Sequence, residues 1–339
     1  MRITIVGAGA IGGVIGAYLA RAGENVTFVD IEKEHVEIIR SKGIKINLKD
    51  DSFTEKVSAF TLEEFVNLDM KLEVVLLCVK AQHTNQSLEP LKNMLTDNSV
   101  VVSMQNGLCE PVISHLIGEE KTIGCFVNLF ADYKQPGEID YGGVGSLYIG
   151  ELNGNITERI KDIQSLLQHW GDAKVTNNIL GYIWGKLSYL IVLVATALTD
   201  EKIADLIENE KWQELFLDLS SEILEVAHKQ KVTPMAFDNW DPSLIFPISS
   251  RDYQKISDEF ELLVNRLRTY TKVKSGIWRD LAVRKRRTEV ETQYNPIIEL
   301  GENHNLQMSK TKKLVSMISE IENGTRKMSI KNLSELSEF

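Results

Sequence analysis

A doubly wound α/β domain followed by an all-α domain is the fold class that this 339-residue sequence predicts, and three observations predict it. A short β-type run, Arg2-Ile3-Thr4-Ile5-Val6, leads through Gly7-Ala8-Gly9-Ala10-Ile11-Gly12 into a helical stretch that Gly23 closes. Short apolar runs then alternate with amphipathic stretches through the first half, as in a mainly parallel sheet covered by helices. From about Asn177 the apolar residues recur at helical spacing instead.

The first observation is the most specific, because the glycines stand between a strand and a helix. Gly7 permits the tight turn, Gly9 lets backbone approach a pyrophosphate, and Gly12 lets helix and strand pack closely. The free N–H groups at the helix start then attract phosphate, so the segment, with Ala8, Ala10 and Ile11 among its cofactor-binding residues, reads as the opening of a Rossmann dinucleotide-binding domain. A second β-type run, Asn25 to Val29, ends in Asp30, 18 residues beyond Gly12. An acidic side chain there accepts from ribose hydroxyls and repels a 2′-phosphate, so NAD is expected, with NADP the alternative. Ile3 to Ala20 is also apolar enough to raise a membrane or export segment. Five glycines within it and a single basic Arg2 argue against that.

The remaining elements follow in order. Further strands are expected at Ile44 to Ile46, Val74 to Val79, Val100 to Met104 and Thr122 to Asn128, with an antiparallel edge at Glu138 to Tyr141 and Ser146 to Gly150. Helices are expected at Ile179 to Thr199, Lys211 to Lys229, Ser257 to Tyr270, Gly276 to Leu300 and Ser309 to Gly324. The expected domains are 1–175, binding the dinucleotide, and 176–339, helical, for substrate and a possible homodimer. A net charge of −10 argues against nucleic acid and anionic membranes as partners. Cys78, Cys109 and Cys125 form no metal or disulfide pattern and fit buried thiols in a reducing cytoplasm, with no metal site.

Several residues could carry chemistry. Lys80, just past an apolar strand, could approach a phosphate or ribose, or be a solvated loop residue. Asn106-Gly107 could present an amide to a nicotinamide, or be turn chemistry alone. Lys186 opens an almost wholly apolar helix that is expected to be too short to span a bilayer. Partial desolvation would favour its use as a general acid; snorkelling at a domain edge is the other reading. Seven basic residues from Lys272 to Arg287 could draw an anionic substrate or form a solvated helix face. The six histidines share no spacing that suggests a site.

In this order, the Gly-rich loop, Val79-Lys80, Gln105-Asn106-Gly107, Trp184-Gly185-Lys186-Leu187, Arg279-Asp280 and Arg287-Thr288-Glu289 together resemble the ketopantoate reductase family. The resemblance implies an active site between a Rossmann and a helical domain. Lys186 would be the proton donor, Asn106 would lie beside nicotinamide and substrate, Lys80 on the cofactor side, and Glu289 against the cofactor ribose. The implied reaction is hydride transfer between a nicotinamide and a 2-oxo acid. A D-2-hydroxyacid dehydrogenase for a bulky apolar substrate, or a non-catalytic NAD(H)-binding sensor, are the alternatives; the sensor has no need of Lys186 or Glu289. Family members that reduce ketopantoate carry asparagines where this chain has Leu190, Val194 and Ala204, and a second serine where it has Gly276 after Ser275. Leu190 and Val194, one and two turns past Lys186, are expected to line an apolar substrate wall, with Ser275 near the carboxylate.

Overall fold

This computed structural model describes residues 1–270 and 273–339. The chain divides into two compact units, Met1–Ile179 and Leu180–Phe339. Unit 1 is built on strands β1 (Arg2–Val6), β2 (Asn25–Asp30), β3 (Ile44–Asn47), β4 (Ser52–Glu55), β5 (Ser58–Thr61), β6 (Leu72–Leu77), β7 (Leu95–Ser103), β8 (Thr122–Gln135), β9 (Glu138–Glu151) and β10 (Ala173–Val175). They form one sheet in the order β4-β3-β9-β8-β7-β6-β1-β2-β5, with β10 beside β9. From β5 through β2, β1, β6 and β7 to β8 every pairing is parallel, whereas β8–β9 and β3–β4 are antiparallel.

Burial of both sheet faces explains the parallel centre. In β6, Val74 and Leu76 enter one apolar cluster while Val75 and Leu77 enter the other. Helices α1 (Ala10–Arg21), α2 (Lys33–Lys42) and α6 (Glu158–Leu167) cover the first face with Val14, Leu19, Val36, Ile39 and Ile163. Helices α3 (Leu62–Phe65), α4 (Thr84–Leu88) and α5 (Glu110–Ile117) cover the second with Phe65, Leu88 and Ile113. Three strands escaped the sequence reading. Ser58-Ala59-Phe60-Thr61 of β5, Ser52–Glu55 of β4 and Ala173–Val175 of β10 are too short and polar for an apolar period to show. The two pieces expected around 138–150 are one strand, carried through its glycines by register shifts against β8.

Unit 2 is helical: α7 (Ile179–Thr196), α8 (Ile203–Glu208), α9 (Glu210–Lys229), α10 (Pro242–Ile245), α11 (Tyr253–Thr269), α12 (Gly276–Ala282), α13 (Val290–Asn303), α14 (Ser309–Glu322) and α15 (Lys331–Ser337). Two expectations are corrected. At 18 residues α7 is long and apolar enough to cross a membrane, but 78% of it is buried inside this protein, as in a core helix. The single helix expected over 276–300 is broken after Ala282. There the buried Asp280 accepts from Arg284 Nη1 at 3.2 Å and Arg286 Nε at 2.9 Å, Lys285 takes a positive φ, and Thr288 donates to Glu322. Those side-chain bonds, with the backbone bonds from Arg284 N–H to Arg279 O and from Arg286 N–H to Asp280 O, take the place of the regular helical ladder across the gap.

Helix α1 lies so close to the sheet that a Cβ on Gly16 would stand 2.6 Å from Phe28 Cε1 and 3.0 Å from Ile5 Cγ1. Gly16→Ala therefore overpacks the core and is expected to cost about 2 kcal/mol, despite the better helix propensity of alanine. Chemical denaturation measures it, with a lowered midpoint and an unchanged slope as the expected result.

Candidate functional site

The dinucleotide loop of unit 1 has the geometry its glycines foretold. Gly7 adopts φ +96°, and a Cβ there would meet Val79 N at 2.8 Å. A Cβ on Gly12 would meet Ile5 Cγ2 at 2.8 Å and Cys78 Cβ at 2.9 Å, so glycine alone lets α1 sit on β1 and β6. At Gly9 a Cβ would meet nothing within 4 Å. Gly9 is also the N-cap of α1 and makes no side-chain cap; the helical ladder begins with Gly13 N–H to Gly9 O at 2.8 Å. The amides of Ala10, Ile11 and Gly12 thus precede the ladder, at the end of a helix whose dipole favours an anion.

Asp30 ends β2 beside this loop. Its Oδ2 accepts from Ala8 N–H at 2.7 Å and its Oδ1 from Glu32 N–H at 3.0 Å. Two backbone donors orient the carboxylate, and each oxygen keeps a second lone pair for a ribose hydroxyl. An open glycine, an uncapped helix start and an oriented acid together fit a dinucleotide.

Lys80 and Asn106 stand on neighbouring loops, after β6 and β7. Gln105, nearly buried, joins them: its Nε2 donates to Val79 O and to Thr84 Oγ1, both at 2.9 Å. Local sequence gives no sign of this part, because the partners of Gln105 lie more than twenty residues away. Glu110 escaped notice altogether. It opens α5, four residues past Asn106, and is 1% exposed. Its Oε2 and the Ser103 Oγ lack hydrogen-bond partners among the described residues. Burial raises its carboxyl from 4.5 to about 7, tempered by the amides of Glu110 and Cys109. Cys109 and Cys125 are buried, Cys78 is half-buried, and all three are free thiols.

In unit 2, Lys186 lies in the second turn of α7, half-buried, within a turn fixed on every side. The backbone of Met235 packs on Gly185 so closely that no Cβ would fit, and Met235 N–H donates to Gly181 O. Tyr294 Oη donates to Leu187 O at 3.1 Å. Ser188 Oγ donates to Gly185 O at 2.7 Å and accepts from Trp240 Nε1 at 2.9 Å, while Ser220 Oγ donates to Ser188 O at 2.8 Å. Such supports hold the backbone that carries Lys186 rigid.

Leu190 is half-buried, but Val194 is 0% exposed. The partly exposed stripe shared with Lys186 is Leu190 and Leu193, at i+4 and i+7. Val194 lies behind that wall rather than on it, which corrects the expectation that both would line it. Ser275 Oγ accepts from Trp278 N–H at 3.1 Å as the N-cap of α12. Its hydroxyl therefore has a structural duty, with its proton and one lone pair left for a ligand. Glu289 is the half-buried N-cap residue of α13, five positions before Tyr294. Part of the basic run is spent internally, which reduces its expected field. Lys274 pairs with Asp200, and Arg284 and Arg286 share Asp280, while Lys285 and Arg287 are exposed. Lys272 lies outside the described residues. Among the described residues no cluster of His, Cys, Asp or Glu could hold a metal ion.

A Rossmann loop in one unit and a buttressed lysine in the other define a nicotinamide-dependent oxidoreductase. Comparison with known proteins narrows the class. Residues 3–154 match the family model "Ketopantoate reductase PanE/ApbA" and residues 178–322 its C-terminal counterpart. The chain belongs to the ketopantoate reductase family. A 2-dehydropantoate 2-reductase of Lactococcus lactis subsp. lactis (strain IL1403) is 28% identical over 244 residues, covering 68% of this chain and 75% of the relative. One of Archaeoglobus fulgidus is 25% identical over 327 residues, covering 95% and 98%. Among solved structures, D-mandelate dehydrogenase with NADH and anilino(oxo)acetate superposes with TM-score 0.82 at 19% identity, covering 96% and 99%. A PanE/ApbA family ketopantoate reductase from Ralstonia eutropha JMP134 superposes with TM-score 0.78 at 23% identity, covering 96% and 99%.

The buried Glu110 makes stability depend on pH. Between 4.5 and about 7 the folded chain keeps a proton that the unfolded chain has released. Its contribution is therefore complete below 4.5 and lost as pH rises through about 7. Urea titrations from pH 5 to 8 are expected to show a falling component of up to about 1.4 kcal/mol per pH unit, which Glu110→Gln removes.

Proposed function

We propose that this ketopantoate reductase family member, a reductase of 2-oxo acids, uses NAD(H) and prefers a 2-oxo acid with a branched or aromatic side chain over ketopantoate. The observation that carries the reading is the buttressed turn of α7, which presents Lys186 with Leu190 and Leu193 on one partly exposed stripe. The residues of the loop from Gly7 to Gly12 would hold the pyrophosphate, Asp30 the adenosine ribose, and Lys80 and Glu289 further parts of the cofactor. A reduced nicotinamide, when bound there, would be the source of the hydride that the keto carbon accepts. The carbonyl π pair then moves to oxygen, where Lys186 Nζ delivers a proton and its ammonium stabilises the developing charge. Asn106 orients the carbonyl by its amide. The fixed backbone of Gly185 to Ser188 keeps Lys186 from having to find its position at each turnover.

The apolar stripe sets the substrate. A polar side chain placed against Leu190 would leave its hydroxyl unpaired in a dry wall, which costs a few kcal/mol. A bulky apolar one loses nothing there and gains burial. Exposed Lys285 and Arg287, with the Ser275 hydroxyl proton, are the groups proposed for the substrate carboxylate. The free thiols agree with a reducing, cytoplasmic setting.

A panel of 2-oxo acids compared by kcat/KM tests the substrate; branched and aryl-substituted members, phenylglyoxylate among them, are expected to exceed ketopantoate. Ketopantoate as the clear best substrate would overturn the preference. With the best substrate, Lys186→Ala is expected to lower kcat by about a hundredfold while the affinity for cofactor stays unchanged.

Cofactor choice is a separate expectation. Asp30 faces any 2′-phosphate with a like charge, so NADH is expected to bind at least about tenfold tighter than NADPH, a difference of about 1.4 kcal/mol. Fluorescence titration measures both.

A further inference from the structure

We propose that His35, outside every motif of the family signature, is a positioning residue for the dinucleotide: it aims the Gly9 amide of the phosphate loop by holding the Ala8 carbonyl. The inference rests on the reading that the loop from Gly7 to Gly12 binds NAD(H).

His35 lies in the first turn of α2 and is 2% exposed. Gly137 N–H donates to its Nδ1 at 2.8 Å, so Nδ1 carries no proton. The proton of the neutral ring is then on Nε2, which donates to Ala8 O at 2.8 Å. The tautomer is thereby fixed from a position 102 residues away in sequence. Tyr133 packs edge-on against the ring with centroids 5.1 Å apart, and Gly137 is itself held where its O accepts from Lys45 N–H at 2.8 Å. The imidazole is therefore a rigid strut between the β8–β9 hairpin and the glycine loop.

What the strut does follows from the planar trans peptide. Asp30 Oδ2 fixes the N–H of Ala8, and His35 fixes its C=O. In a trans peptide the carbonyl and the next N–H point in opposite directions. Holding Ala8 O toward His35 therefore turns Gly9 N–H the other way. A Cβ at Gly9 would meet nothing within 4 Å, so the loop is open where a pyrophosphate would approach. A buried histidine satisfied at both nitrogens could serve the core alone. The choice of Ala8 O as its acceptor, inside the phosphate loop, is what gives it a part in binding.

The two nitrogens can be removed one at a time. Glutamine reaches about as far as Nε2 and can keep the donor to Ala8 O; asparagine reaches about as far as Nδ1 and can keep the acceptor for Gly137 N–H. Both lose one buried hydrogen bond, so a purely structural role predicts equal damage. NADH titration of the full-length protein should instead show His35→Asn weakened about tenfold and His35→Gln within about threefold of wild type. KM for NADH should rise with the Asn variant while kcat at saturating NADH stays unchanged, since binding is lost equally from ground and transition states. Equal affinities for the two variants, or a loss in kcat rather than KM, would overturn the proposal. Imidazole ¹⁵N spectra of the wild type at neutral pH provide a check that no variant's folding affects. The Nε2–H tautomer is expected, and an Nδ1–H or doubly protonated ring would overturn it. Wild type that binds neither NADH nor NADPH would overturn the cofactor reading as well, whereas binding by wild type with equal variants removes only the role of His35.

Discussion

Everything in unit 1 depends on how closely α1 can approach the sheet. At Gly12 the helix passes within a Cβ's radius of Ile5 and Cys78, and at Gly16 within one of Phe28. That contact does two things at once. It seals the apolar cluster on one face of the sheet, and it aims the helix N-terminus at the open ground in front of Gly9. Any side chain at Gly12 would lift the helix, and the amides of Ala10 and Ile11 would move with it. Packing and binding are the same constraint here, so the loop cannot be relaxed without loosening the core.

Around this joint, the loops at the carboxyl ends of the strands are tied to each other by side chains rather than left as independent connections. Asp30 holds the Ala8 N–H, and Gln105 bridges the loops after β6 and β7. Each tie is buried or half-buried, where an unmade hydrogen bond is costly, and so each restricts the loop to one conformation. Unit 2 applies the same logic to Lys186. Its turn of α7 is gripped at Gly185, Leu187 and Ser188 by groups from α9, α13 and the segment around Met235. An apolar helix with one lysine becomes a rigid platform only through these contacts.

Two of the departures that the family resemblance brings out, at 190 and 194, lie on that platform. Apolar residues replace amides at 190 and 194, yet the two replacements differ in consequence. Leu190 keeps partial exposure beside Lys186, while Val194 is enclosed and shapes the wall only from behind. A helix presents a given face every three to four residues, so Leu193 competes with Val194 for that surface. The choice between them depends on the rotation of α7 in its socket, which sequence spacing alone leaves open.

The sequence by itself determined the architecture wherever a local period or a local backbone need was strong. The Gly7 to Gly12 loop between strand and helix, the acid at Asp30, the buried runs of β6 and β7, and the long helices of unit 2 were legible because each depends on residues a few positions apart. The tertiary structure alone decided what distant side chains do. Nothing within a few residues of His35 or Gln105 reveals their partners, and the break between α12 and α13 needed Asp280, Arg284 and Arg286 to fold onto one another. The basic run looked like a field in one dimension. In three, Asp200 and Asp280 offset two of its charges, because charge is summed over neighbours in space and not along the chain.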